Sequence, residues 1–90
     1  MPEYGTVLVT GGAGFIGCAL SEGLTRAFSR VVALDNLHPQ IHATRTRPAA
    51  LASGVELVVG DVTDAAAWDS VLASARPDVV IHLAGEPRGL

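Results

Sequence analysis

The sequence predicts an α/β protein with a doubly wound parallel sheet, of which these 90 residues supply the N-terminal half. Three observations predict this class. Short apolar runs alternate with segments of helical periodicity, and the first run leads through a glycine-rich turn directly into a helix. The runs are also apolar on both faces, as strands are when helices cover both sides of a parallel sheet. Right-handed crossovers then arrange the four strands in the order 3-2-1-4.

The first strand and helix follow from composition and period. Thr6–Thr10 is β-branched and apolar, and it is too short for a helix. The next segment, from about Gly14 to Phe28, carries an apolar stripe at the spacing of one helix face. The stripe consists of Phe15, Ile16, Ala19, Leu20, Leu24 and Ala27. Gly23 lies on this stripe, where it either permits close approach to the sheet or is a defect of about 1 kcal/mol relative to Ala.

The middle of the chain contains two more apolar runs separated by a polar segment. Arg30–Asp35 is predicted as the second strand and ends on a carboxylate. From Asn36 to about Pro48 the sequence is polar and contains prolines, which predicts a loop with one short helical stretch between Ile41 and Ala52. Val55–Gly60 is predicted as the third strand.

The last predicted helix and strand are bounded by clear signals. Asp64 or Thr63 is placed to cap the helix, and Pro77 stops it. Its core-facing stripe consists of Trp68, Val71, Leu72 and Ala75. The fourth strand and its exit occupy Asp78–Gly85. His82 lies in this strand, where we interpret it as a hydrogen-bonded core residue rather than a catalytic one.

Composition indicates that residues 1–90 are a piece of a larger domain. Hydrophobic residues make up 49% of the chain and charged residues only 17%, with a mean hydropathy of +0.39. That composition suits a large interior, whereas a chain of this size has a thin core. The fourth strand would also remain an open apolar edge, which favours aggregation unless another strand covers it.

Several classes of function are excluded by charge and composition. A net charge of −3 provides no basic surface for nucleic acid. The single cysteine, Cys18, excludes an internal disulfide and a cysteine-based metal site, and we interpret it as a small apolar residue. Signal-peptide and membrane-spanning patterns are absent, so we expect a cytoplasmic protein without membrane partners.

The glycine-rich turn between the first strand and helix predicts a binding site for a dinucleotide pyrophosphate. Gly11 allows a sharp turn off the strand, Gly14 allows close approach of an anion, and Gly17 allows close helix packing. The amides that open the helix, including those of Phe15 and Ile16, lack partners within it and lie at its positive end. The alternative is a tight turn that binds no ligand.

A P-loop, which would bind a nucleoside triphosphate, also begins with glycines at this spacing. It requires a lysine that contacts phosphate, followed by a Ser or Thr that holds magnesium. Cys18 and Ala19 stand at those two positions. The sequence therefore excludes this class.

Asp35 indicates which dinucleotide is bound. It follows Gly17 by 18 residues and ends the neighbouring strand, where such sites place an acidic residue for the adenosine ribose hydroxyls. Its charge would repel the 2′-phosphate of NADP, and Asn36 follows it rather than an arginine. We therefore predict NAD. Arg45 and Arg47 would be the counter-argument if a folded loop brought one of them to a 2′-phosphate, but we interpret them as solvated loop charges.

Four short blocks, each at a strand end, carry a resemblance that spans nearly the whole chain. In order they are Thr10-Gly11-x-x-Gly14-x-x-Gly17, Leu34-Asp35-Asn36-Leu37, Gly60-Asp61-Val62 and His82-Leu83-Ala84. The chain thereby resembles the NAD-dependent epimerase/dehydratase branch of the extended short-chain dehydrogenase/reductase superfamily. The resemblance implies a Rossmann-type fold, NAD as cofactor, a nucleotide-sugar substrate and, in the complete enzyme, a homodimer. A faint further similarity of His38-Pro39-Gln40 points to deoxysugar 4-epimerases of the dTDP-rhamnose type.

The resemblance also implies roles for residues after the third and fourth strands. Asp61 would contact the adenine amine, assisted by the backbone of Val62, although Asp61 is equally suited to capping the following turn. Leu83, Ala84 and Gly85 would lie against the cofactor, although the family more often has alanine where Gly85 stands.

The catalytic residues that the family uses are not found in the chain. The family uses a Ser or Thr together with a Tyr-x-x-x-Lys pair, in which the tyrosine acts as the base. Here the one tyrosine is Tyr4, on the wrong side of the first strand, and all six basic residues are arginines. We predict neither catalytic nor metal-binding residues, and expect these residues alone to bind NAD without catalysis. The alternative is an NAD-binding module, or degenerate fragment, with a sensing or regulatory role.

Overall fold

A computed structural model describes residues 4–37 and 48–83 of the chain. These residues form four strands and two helices. They are β1 (Tyr4–Thr10), α1 (Phe15–Ala27), β2 (Phe28–Asp35), β3 (Val55–Val59), α2 (Ala65–Ala75) and β4 (Val79–His82). Neither helix is long and apolar enough to cross a membrane.

The four strands form one parallel sheet in the order β3-β2-β1-β4, which confirms the predicted order. Thr10 at the end of β1 lies opposite Leu34 of β2 and His82 of β4. Asp35 at the end of β2 lies opposite Val59 of β3. The carboxyl ends of all four strands therefore meet at one edge, and the direction of winding reverses there between β1 and β4.

Each face of the sheet has its own hydrophobic core, because successive side chains in a strand point to opposite faces. The core on the α1 side contains Val7, Val9, Val31, Ala33, Leu51 and Val55. The core on the α2 side contains Leu8, Val32, Leu34, Val71 and Ala75. β1 and β2 are thus buried on both faces, as the apolar runs predicted.

The apolar stripe predicted for α1 faces the core only in part, because Leu24 packs against the α1-side core whereas the residues nearer the helix start do not. Phe15 is 91% exposed, and Ile16 and Leu20 are also exposed. The residues of α1 that are buried are Gly17 and Ser21. The face that contacts the sheet is therefore rotated away from the most apolar face of the helix.

Two close contacts explain this rotation. A Cβ at Gly17 would lie 2.3 Å from the carbonyl oxygen of Gly12, so the helix rests directly against the glycine turn. The buried Ser21 hydroxyl donates to the Cys18 carbonyl at 2.7 Å and accepts from the Ala52 amide at 3.0 Å. Close backbone approach and a satisfied polar side chain therefore decide which side of α1 is buried, and periodicity alone did not contain this information.

The segment before β3 consists of turns where it is described. The Leu51 amide donates to the Pro48 carbonyl at 3.2 Å, and the Val55 amide donates to the Ala52 carbonyl at 3.1 Å. The predicted short helix is thus wrong for residues 48–52, and its earlier part lies outside the described residues, as do Arg45 and Arg47.

α2 begins and ends as the sequence predicted. The Asp64 side chain caps it by accepting from the Ala66 amide at 2.9 Å. Arg76, in the left-handed conformation with φ of 48°, ends it immediately before Pro77. Its predicted stripe is partly correct, because Val71 and Ala75 are buried and Trp68 packs against them, whereas Leu72 is exposed.

Candidate cofactor-binding site

The predicted site residues that are described lie at the carboxyl edge of the sheet. The glycine turn follows β1, Asp35 ends β2, Asp61 follows β3, and Leu83 follows β4. Ala84 and Gly85 lie outside the described residues. The sheet topology therefore gathers four separate sequence blocks at the position where doubly wound folds bind their ligands.

The glycine turn is tight and is tied to β2. Gly11 has a φ of 70°, a conformation that side chains rarely permit, which confirms the predicted sharp turn. Its amide donates to the Leu34 carbonyl at 2.8 Å, and the Gly14 amide donates back to the Gly11 carbonyl at 3.1 Å. Backbone hydrogen bonds thus fix the shape of the turn.

The start of α1 presents a group of backbone amides. The helix has no side-chain cap, and its hydrogen-bond ladder begins with the Cys18 amide donating to the Gly14 carbonyl at 2.9 Å. The amides of Phe15, Ile16 and Gly17 precede that ladder, and the first turn carries no acidic side chain. These amides lie at the positive end of the helix dipole and suit a phosphate group.

Asp35 is a buried carboxylate that connects two segments of the chain. The residue is 8% exposed. Its Oδ2 accepts from the Ala13 amide of the glycine turn at 3.0 Å, and its Oδ1 accepts from the Leu37 amide at 2.8 Å. An ionised carboxylate accepts about four hydrogen bonds, so these two leave capacity for ribose hydroxyls. The sequence indicated the ribose role but not the two amides.

Asp61 has a different environment, although it also follows a strand end. It is exposed, and its Oδ1 accepts from both the amide and the hydroxyl of Thr63, at 2.9 and 2.7 Å. These two bonds, the amide bond foremost, lower the pKa of the Asp61 carboxyl. This geometry is the turn-capping arrangement that the sequence left open beside adenine contact.

Val62 is held by a residue that the site prediction did not include. The indole Nε1 of Trp68 donates to the Val62 carbonyl, and both side chains pack on the α2-side core. The signal in the sequence was an indole within an apolar helical stripe, since a buried indole N–H requires an acceptor. Its partner became visible only in the folded chain.

At the reversal of winding, a hydrogen bond joins β1 and β4. The buried Thr10 hydroxyl pairs with Nδ1 of His82, and the Leu83 amide donates to the Thr10 carbonyl at 2.9 Å. His82 is thus hydrogen-bonded as predicted, but it is exposed rather than part of the core. The carboxyl ends of β1 and β4 are therefore held together where the winding reverses.

No metal centre is found in the part of the chain that the structure describes. Among residues 4–37 and 48–83, no three side chains of His, Cys, Asp and Glu are grouped to hold a metal ion. The chemistry available at the carboxyl edge comes from amides that suit an anion and from carboxylates that suit hydroxyls or an amine.

The fold and this edge define a dinucleotide-binding α/β domain of the Rossmann type, and comparison with known proteins specifies its family. The NAD dependent epimerase/dehydratase family matches residues 7–89. The chain belongs to this family.

Relatives of known activity and structure support the assignment. The chain is 62% identical over 80 residues to dTDP-L-rhamnose 4-epimerase of Burkholderia thailandensis, covering 89% of the chain and 22% of that enzyme. UDP-glucose 4-epimerase of Thermus thermophilus, solved with NAD, matches with a TM-score of 0.72 and 38% identity, over 90% of the chain and 24% of that structure. WbmG of Bordetella bronchiseptica, solved with NAD and UDP, matches with a TM-score of 0.70 and 30% identity, over 91% of the chain and 25% of that structure. The chain thus spans less than a quarter of the first two relatives.

Proposed function

We propose that residues 1–90 form the N-terminal, NAD-binding part of a nucleotide-sugar epimerase or dehydratase. The observation that carries the proposal is the pairing of two features at one edge of the sheet. The amides of Phe15, Ile16 and Gly17 suit a pyrophosphate, and the buried Asp35 carboxylate at the neighbouring strand end suits ribose hydroxyls. A phosphate site and a hydroxyl site at adjacent strand ends match the diphosphate and the ribose of an adenosine diphosphate.

The residues present fit this cofactor in shape and in charge. The Gly17 contact leaves no room for a side chain between helix and turn, so the helix start stays close to the turn that would receive the pyrophosphate. The Asp35 carboxylate disfavours the 2′-phosphate of NADP through like charge. Asp61 and Val62 would contact adenine, Asn36 would lie beside the ribose, and Leu83, with Ala84 and Gly85 after it, would line the nicotinamide side. Bound NAD would supply the hydride acceptor at its nicotinamide ring.

Titration of the purified full-length protein with NAD and NADP tests this proposal. We expect NAD to bind and NADP to bind at least about tenfold more weakly, because the 2′-phosphate would be placed against a carboxylate. Asp35→Ala should weaken NAD binding by about tenfold or more, the cost of losing hydrogen bonds to a charged acceptor. Equal affinity of the wild type for both cofactors would contradict the proposed ribose site.

We further propose a dTDP-deoxysugar as the substrate, by analogy with the Burkholderia enzyme, which is 62% identical to this chain. Incubation of the full-length protein with dTDP-L-rhamnose, followed by proton NMR of the sugar, should show inversion at C4. UDP-glucose serves as the comparison substrate. NAD binding with no turnover of either sugar would favour the alternative of a non-catalytic NAD-binding module.

We also propose that residues 1–90 are part of a larger domain rather than a complete one. Within the described residues β4 pairs with β1 alone, and its Val79 and Val80 are 43% and 47% exposed. Phe15 and Ile16 add exposed apolar surface on α1. Residues 1–90 expressed alone should therefore aggregate or unfold at lower denaturant than the full-length protein. Cooperative unfolding of a monomeric 90-residue chain at equal stability would contradict this.

A further inference from the structure

The Asp35 carboxylate has two partners that a residue needed only for ribose binding would not require. Its Oδ2 holds the Ala13 amide at 3.0 Å and its Oδ1 holds the Leu37 amide at 2.8 Å, and both bonds are buried. The two amides come from separate segments, one in the glycine turn and one beyond the end of β2. The side chain therefore ties these segments together independently of any ligand.

The glycine turn depends on this carboxylate at its middle residue. Gly11 and Gly14 are held by backbone carbonyls, those of Leu34 and of Gly11 itself. Ala13 between them is 2% exposed, and its amide donates to Asp35. Without that acceptor a buried amide would be left unpaired, which drives local rearrangement. The helix start follows Ala13 by two residues and would move with it.

Leu37 provides a second, independent observation. It is fully buried and has a φ of 51°, a left-handed conformation that a bulky residue rarely adopts unless its surroundings hold it there. Its amide donates to Asp35 Oδ1. The carboxylate thus also holds the backbone where the chain leaves β2, beside the proposed ribose position.

We propose that Asp35 is a positioning residue for the glycine turn, in addition to the ribose-binding role proposed above, on which this inference rests. Through Ala13 it fixes the turn in the shape that presents the helix-start amides to pyrophosphate. Through Leu37 it fixes the backbone beside the ribose. Loss of the carboxylate therefore weakens the binding of a dinucleotide even when the dinucleotide has no ribose hydroxyls for Asp35 to contact.

An NAD analogue whose adenosine ribose lacks both hydroxyls separates the two roles. Affinities for NAD and for this 2′,3′-dideoxy analogue are measured by calorimetry on the full-length wild-type protein and on Asp35→Ala. If Asp35 acted only on the ribose, both proteins would bind the analogue equally. The positioning role predicts that Asp35→Ala binds the analogue about tenfold more weakly than the wild type does.

Asp35→Asn keeps the experiment decisive if the Ala variant does not fold. Asparagine offers one oxygen acceptor and places its amino group against the second amide, so one of the two segments loses its partner. We expect its affinity for the analogue to lie between those of the wild type and Asp35→Ala. If Asp35→Ala does not fold, the affinity of Asp35→Asn should still lie below that of the wild type. Unchanged affinity of the folded Asp35→Asn or Asp35→Ala for the analogue would overturn the inference.

Asp78→Ala is the matched control. Asp78 also holds a backbone amide through its carboxylate, that of Thr6, but it does so at the amino edge of the sheet, away from the proposed site. It should lower thermal stability without changing the affinity for NAD or for the analogue, which distinguishes positioning from general destabilisation. Absence of NAD binding by the wild-type protein would refute the proposed function itself, an outcome distinct from equal binding of the analogue.

Discussion

The ends of β2 and β3 carry similar residues in very different environments. Asp35 at the end of β2 is buried and accepts from amides 22 residues upstream and two residues downstream. Asp61 after β3 is exposed, and the two bonds of its Oδ1 come from Thr63, two residues away.

The difference between these carboxylates follows from strand position. β2 lies inside the sheet between β1 and β3, whereas β3 lies at its edge within the described residues. The Asp35 carboxylate, at the end of an inner strand, accepts from the turn after β1, whereas the described bonds of the Asp61 carboxylate, beyond the edge strand, come from its own loop. Burial removes water as an alternative partner, so hydrogen bonds at the β2 end are costly to lose.

We expect the largest effect on the free energy of unfolding when Asp35→Ala is compared with Asp61→Ala. Asp35→Ala leaves two buried amides unpaired, each at about 1–3 kcal/mol, so we expect the free energy of unfolding to fall by about 4 kcal/mol. Asp61→Ala should change it little, because water replaces an exposed acceptor. Urea denaturation of both variants provides the measurement. Equal losses would show that the two strand ends do not differ as described.

Gly17→Ala tests the closeness of α1 to the glycine turn. The added Cβ would meet backbone atoms of Gly12 at 2.3–2.6 Å, which cannot move without displacing the turn, so we expect a loss of about 3 kcal/mol. The same substitution at Gly23 is the control, since no atom lies within 4 Å of a Cβ there. Gly23→Ala should raise stability by about 1 kcal/mol through helix propensity. A stable Gly17→Ala would contradict the close packing.

Trp68→Phe tests how strongly the β3 end is held by α2. The substitution keeps an aromatic ring in the core but removes the indole N–H that donates to the Val62 carbonyl. We expect a loss of about 1 kcal/mol, typical of one hydrogen bond. Unfolding should be followed by circular dichroism rather than by fluorescence, because the substitution removes the one tryptophan of residues 1–90. Leu72→Ala, at an exposed position of the same helix, should cost less.

The smallest effect concerns the titration of Asp61. Its two bonds from Thr63 lower the pKa of its carboxyl below the ordinary value of 3.8. Because the pKa is lower in the folded state, these bonds stabilise the fold fully at a pH above the ordinary pKa. The stabilisation is lost as the pH falls through the pKa of the folded state. Thr63→Val keeps the amide bond and removes the hydroxyl, so the pKa should rise partway toward 3.8. Carbon NMR of the Asp61 carboxyl measures it, and an unchanged pKa would exclude the hydroxyl as a cause.

Features encoded by neighbouring residues could be read from the sequence. The strand order follows from the alternation of strands and helices with right-handed crossovers. The turn at Gly11, the cap at Asp64 and the end of α2 before Pro77 each depend on a few adjacent residues. The four sequence blocks at the strand ends were likewise sufficient to predict the family, which the match over residues 7–89 confirms.

Features that join distant segments were decided by the tertiary structure alone. The buried face of α1 was predicted only in part, at Leu24, because helical period gives the spacing of apolar residues but not the side on which the backbone can approach the sheet. That side was set by the contact of Gly17 with Gly12 and by the Ser21 hydroxyl, which bonds Ala52. Asp35 could be assigned to the end of a strand from sequence, whereas its bonds to Ala13 and Leu37 arise because parallel pairing brings the end of β2 beside the turn after β1. Local pattern thus determined which elements form, and packing between them determined which groups each element holds.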